Sequence, residues 1–151
     1  MRATRARRRR RPTRYASLPF AAGVHDELRE LLDTEHRTRP FRLCDPRDAA
    51  RRVDRLLRER GMRTVFVRGA LDLGGAELDH VWTVADGHVV DVAVPCADPS
   101  FLPVLRAYVA GDVEPDAIDR EASRRPFAER VLGAYDEARV GYVGLPVFGS
   151  R

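Results

Sequence analysis

The chain has 151 residues, 44% of them hydrophobic, which is enough for one folded domain with a real core and too few for two comfortable ones. Its net charge is +4 and all 27 basic residues are arginine, with no lysine, asparagine or glutamine, so the bias reads as genome composition and is no argument by itself for nucleic acid. No stretch approaches a membrane span, no apolar leader follows the basic start, and two cysteines make no disulfide framework, so a cytoplasmic protein with reduced thiols is expected.

Eight arginines fall in residues 1–14, giving that segment +8 and leaving −4 on the rest. The run Arg7 to Arg11 repels itself and buries no apolar area, so residues 1–14 are expected to form a disordered tail and residues 15–151 a single domain. The run offers RNA, DNA or an anionic membrane a contact through phosphate charge. No aromatic residue interleaves with it and no nucleic-acid fold signature follows, which makes this the weaker functional reading.

Val24 to His36 is expected to be a helix, with Val24, Leu28, Leu31 and Leu32 on one face, followed by a connector from Arg37 to Leu43 broken at Pro40. The next helix has clear boundaries. Asp45 suits the N-cap, Pro46 the first helical position, Ala49, Val53, Leu56 and Leu57 form the apolar stripe, and Gly61 stops it. Cys44 therefore stands just outside a helix N-terminus, where unpaired N–H groups and the helix dipole favour a thiolate, against the adjacent Asp45 carboxylate.

Thr64 to Val67 reads as a buried strand ending at Gly69, and a Gly74-Gly75 loop leads to two alternating runs, Asp79–Ala85 and His88–Val94. Asp86-Gly87 between them signals a two-residue hairpin turn. In that register Ala85 faces His88, Trp82 faces Asp91 and His80 faces Ala93, so His80, Trp82 and Asp91 share a face, with Asp91 diagonal to His80 at roughly 7–8 Å between backbones. A bulged three-residue turn would send Asp91 to the other face. His88 alternates away from His80, and no Cys or His pair has metal-ligand spacing, so neither a metal nor a cofactor is expected.

Ser100 to Ala110 reads as a short helix interrupted at Pro103, and Pro126 to Arg139 as another with Phe127, Val131, Leu132 and Tyr135 inward. The apolar, glycine-rich segment from Val140 to Gly149 is expected to lie extended against the body, since it lacks the lysine and following helix of a phosphate loop.

Three residues in this order carry a chemistry: Cys44 ahead of a helix, His80 in Asp-His-Val-Trp, and Asp91 in Val-Val-Asp-Val. A thiol, an imidazole and a carboxylate are the parts of an activated nucleophile, its base and the group that orients the base. With the Arg-Glu-Arg-Gly-Met helix end and the strand Thr-Val-Phe-Val-Arg-Gly, the stretch from Cys44 to Asp91 resembles the core of the transglutaminase-like, papain-like superfamily of cysteine hydrolases and acyl transferases. The resemblance implies an α+β fold in which a cysteine-bearing helix packs on an antiparallel sheet carrying histidine and aspartate. It implies Cys44 as nucleophile, His80 as base and then acid, and Asp91 as orienting group, acting through an acyl-enzyme on a peptide, acyl-amide or thioester. Trp82 would shield the triad or line the acyl pocket. The arylamine acyltransferase-like branch uses the same order, but the chain is short for it. Cys96, after Pro95, is read as structural and as the reserve nucleophile.

Two non-enzymatic readings stand beside this: a catalytically inactive scaffold of the same fold that binds a peptide or protein, and an RNA- or DNA-binding protein acting through its arginine tail. In the first, Cys44 is a small buried residue before a cap, His80 a satisfied strand histidine and Asp91 a carboxylate facing solvent or pairing with an arginine.

Overall fold

The computed structural model describes residues 12–15, 19–96, 98–132 and 141–147. It is an α+β fold in which four helices accompany an antiparallel sheet. In chain order the elements are β1 (Thr13–Arg14), α1 (Ala22–Thr38), α2 (Pro46–Glu59), β2 (Thr64–Asp72), β3 (Glu77–Ala85), β4 (His88–Asp91), α3 (Leu102–Val109), α4 (Pro115–Arg124), a single 3₁₀ turn (Phe127–Glu129), β5 (Val131–Leu132) and β6 (Gly141–Val147). The strand order across the sheet is β1-β6-β2-β3-β4-β5, with every neighbouring pair antiparallel.

Local sequence accounts for the part of this frame that carries the candidate residues. The Asp45 side chain accepts from the Asp48 N–H at 3.3 Å and Pro46 opens α2, as the cap signals predict. The stripe Ala49, Val53, Leu56 and Leu57 is buried, and α2 lies on β3, where the Thr83 hydroxyl donates to the Ala50 carbonyl at 2.8 Å. Arg52 is buried on the same helix. It donates to the Arg39 carbonyl at 2.7 Å and stacks over the Phe41 ring at 4.2 Å, which pins the connector leading to Cys44.

Asp86 and Gly87 both have positive φ (49° and 84°), the conformation of a two-residue hairpin turn, and the predicted register holds, with Ala85 opposite His88 and Thr83 opposite Val90. β2, however, does not stop near Gly69. It runs through to Asp72 because Gly69 is where β6 approaches most closely, opposite Gly144, and a Cβ there would strike the Val143 carbonyl oxygen. A Cβ on Gly144 would come within 2.9 Å of the Trp82 ring, so Gly69 lets the two strands approach and Gly144 leaves room for Trp82.

The C-terminal third departs most from expectation. Pro103 lies in the first turn of α3 and interrupts nothing, because a proline there forfeits no helical hydrogen bond. α4, with Ile118 and Ala122 buried, was not anticipated. The helix expected from Pro126 to Arg139 is replaced, as far as Leu132, by the 3₁₀ turn and β5, whose Leu132 and Val131 pair with Val90 and Asp91; edge pairing overrides the helical spacing. The rest of that predicted helix, with Tyr135, lies outside the described residues, as does Arg7 to Arg11. Thr13 and Arg14, assigned to the tail by composition, pair with Gly144 and Val143 as an edge strand. Gly141 to Val147 is extended against the body as expected, but as a central strand rather than a covering segment. Among the described residues no helix is long and apolar enough to cross a membrane.

Candidate active site

His80 and Asp91 meet as the hairpin register requires. His80 Nε2 lies 2.8 Å from Asp91 Oδ2, and the two side chains are 1% and 3% exposed. A carboxylate only accepts, so the network assigns the ring proton to Nε2 and leaves Nδ1 as the basic nitrogen. Nδ1 makes no hydrogen bond among the described residues. Trp82, two residues along the same strand face, stacks on the imidazole with centroids 6.0 Å apart and planes 22° from parallel. It is fully buried, and its indole N–H has no partner among the described residues.

Sequence reasoning missed the rest of the cluster. Tyr142, on β6 and fully buried, has its hydroxyl 2.9 Å from Asp91 Oδ2 and 3.3 Å from Cys96 Sγ. The phenol has one proton. The acceptor-only carboxylate takes it, and the Cys96 thiol can donate in turn to the phenol oxygen. Asp91 Oδ1 accepts from the Ala93 N–H at 3.2 Å. Arg130, 3% exposed, donates to the Ala122 carbonyl at 2.8 Å, while its Nε and Nη1 have no partner among the described residues. Burial pulls its guanidinium down to about 10, against the opposing influence of Asp91 and Cys96. Burial, and then the Asp91 charge, raise the Cys96 thiol and the Tyr142 phenol far above their ordinary values. Cys96 is therefore an inert thiol, and the reserve-nucleophile role expected of it does not fit its surroundings. His88 packs against Phe20 with centroids 4.1 Å apart and planes tilted by 33°, and among the described residues no three His, Cys, Asp or Glu side chains could hold a metal ion.

Cys44 is placed differently from expectation. Its thiol donates to the Pro115 carbonyl at 3.2 Å and lies 3.7 Å from the Tyr108 hydroxyl; it makes no hydrogen bond to His80 among the described residues. Its backbone N–H, one of the groups expected to favour a thiolate, is taken by Asp119 Oδ1 at 3.2 Å. Burial raises the thiol above its ordinary value, the Asp119 charge adds to this, and the Tyr108 hydrogen bond and Arg42 oppose it. The predicted lowering at the helix start is thus reversed, chiefly by desolvation and then by a carboxylate on a helix that sequence reading did not find.

Residues that contact Cys44 and residues of the histidine strand nevertheless border one opening, although neither Cys44 nor His80 lines it. A cavity of about 510 Å³ is lined by Tyr108 and Pro115, the two partners of the thiol, and by Leu78, which stands two residues before His80 on the same strand face. Trp82 does not line it. The arrangement supplies a buried, oriented imidazole and, separately, a protonated thiol whose two partners line a solvent-open cavity. No family model, curated protein or solved structure matches the chain.

Proposed function

We propose that the protein is a thiol-dependent acyl-transfer enzyme of transglutaminase-like design, with Cys44 as nucleophile, His80 as base and Asp91 as the group that orients it. The observation that carries this reading is the buried His80–Asp91 hydrogen bond at 2.8 Å on adjacent strands, with α2, whose start follows Cys44, packed on the histidine strand. In the reaction the thiol leaves the Pro115 carbonyl and passes its proton to His80 Nδ1 as sulfur attacks the substrate carbonyl carbon. The tetrahedral adduct collapses, His80 returns the proton to the departing amine, alcohol or thiol, and an acyl thioester remains on Cys44. Water or an amine then attacks that thioester while Nδ1 takes its proton, and the thiol is restored. Asp91 keeps Nε2–H occupied and Nδ1 basic throughout.

The test is acylation by p-nitrophenyl acetate, followed by mass spectrometry of the modified thiol. Acetyl is expected on Cys44 and not on Cys96, with the rate falling about a hundredfold in His80→Ala. Equal, slow acetylation of Cys44 in wild type, His80→Ala and Asp91→Ala would overturn the reading. One observation favours an inactive peptide-binding scaffold instead: the thiol holds its proton on the Pro115 carbonyl, away from His80. That second reading predicts the equal, slow outcome.

A further inference from the structure

We propose that Tyr142 is a positioning residue for the His80–Asp91 pair, fixing the carboxylate so that Oδ2 faces Nε2. The inference rests on the acyl-transfer reading for its catalytic consequence but on separate geometry for its substance. Asp91 is the last residue of β4, and the strand ladder ceases to constrain the chain immediately beyond it. One carboxylate oxygen is held locally by the Ala93 N–H, and the other receives both the imidazole Nε2 at 2.8 Å and the phenol at 2.9 Å.

Tyr142 touches both the carboxylate and the indole that stacks on the imidazole. Its ring packs edge-on against Trp82, with centroids 5.1 Å apart and planes at 74°, and Trp82 stacks on His80. The contacts form a closed circuit: imidazole to carboxylate, carboxylate to phenol, phenol ring to indole, indole back to imidazole. Each member is buried, so none of these groups can exchange its partner for bulk water. Tyr142 enters the circuit from β6, opposite Leu71 of β2, so a strand remote in sequence sets the angle at which Asp91 meets His80. Removing the hydroxyl while keeping the ring preserves the packing and leaves Oδ2 with one donor, free to turn about its last torsion.

Tyr142→Phe, in the full chain, separates orientation from packing. With ¹⁵N-histidine labelling, the wild type is expected to show His80 as a single tautomer protonated at Nε2, with a slowly exchanging ring proton. The Phe variant should show faster ring N–H exchange and a mixture of tautomers, and its acylation by p-nitrophenyl acetate should fall about tenfold with KM unchanged. His80 signals identical to wild type in Tyr142→Phe would overturn the proposal, since a merely packing role survives that change. If the Phe variant does not fold, 3-fluorotyrosine placed at position 142 retains shape while strengthening the donor. A shift of the His80 ring proton then supports the proposal, and no shift overturns it. A wild type that is never acylated at Cys44 sinks the enzyme reading alone, because the ring signals still decide what Tyr142 does.

Discussion

The Cys44 thiol donates to a backbone carbonyl, and a thiol that donates still holds its proton. The side chain most open to alteration in keeping it so is Asp119, which accepts the Cys44 N–H through Oδ1 and binds Arg42 through Oδ2 at 3.2 Å. Burial is the leading cause of the raised thiol, and the Asp119 charge is the next that raises it. Asp119→Asn keeps an oxygen for the N–H and deletes the charge. Alkylation of Cys44 by iodoacetamide at pH 7.5 should then be faster, with its pH midpoint displaced downward, while Cys96 stays unreactive. An unchanged or upward-shifted profile would show that burial alone governs the thiol. None of this was readable from the motif around Cys44, because Asp119, Tyr108 and Pro115 reach it from two helices 64 to 75 positions away. What was readable was the His80–Asp91 pair, since eleven residues and one tight turn determine it.

Among elements, the same distinction between local and remote information decides what sequence reading recovers. The cap and stripe of α2 and the turn between β3 and β4 are written within a few residues and appear as expected. α4 offers only Ile118 and Ala122 as buried positions over ten residues, too faint a periodicity to stand out. β5 was mistaken for helix because Phe127, Val131 and Leu132 fall at helical spacing, whereas the unpaired edge of β4 decides their conformation. Gly69 was read as a strand end for want of any sign that β6 would lie against it. That approach makes a sharp prediction for the β2–β6 pair. Gly69→Ala thrusts a methyl into the Val143 carbonyl oxygen, a backbone atom that cannot swing aside, and urea unfolding should show a loss of about 3 kcal/mol. A loss under about 1 kcal/mol would mean that the two strands are not held at this spacing.

For the molecule as a whole, the buried polar cluster ties stability to alkaline pH. Cys96 ordinarily ionises near 9.0 and Tyr142 near 10.0, and burial raises both in the folded state. An acid raised on folding keeps a proton that the unfolded chain has already released, so its contribution is fully present below the unfolded value and is lost as pH rises from there toward the folded value. Between pH 9 and 10 the buried thiol should cost about 1 kcal/mol of stability. Above about 10 Arg130 acts in the opposite sense, because the folded guanidinium, depressed by burial, releases a proton that the unfolded chain retains. The clean window is therefore the lower one. Urea titrations at pH 8, 9 and 10 should show a stability decline that is shallower in Cys96→Ala; parallel declines in the two proteins would argue that Cys96 is not protonated and buried as described.

The position of β6 has a consequence for how the protein is made. Last in sequence among the described strands and second across the sheet, it slots between β1 and β2, partners that leave the ribosome far earlier. Until Gly141–Val147 is synthesised, the ladder of β2 from Phe66 to Asp72 stands open, a template for pairing with other nascent chains. The imidazole and carboxylate exist by then without the phenol that steadies them. A messenger cut short before this strand would yield a product that is sticky and has a loosened histidine, so translation to the end of β6 both closes the sheet and completes the cluster around Asp91.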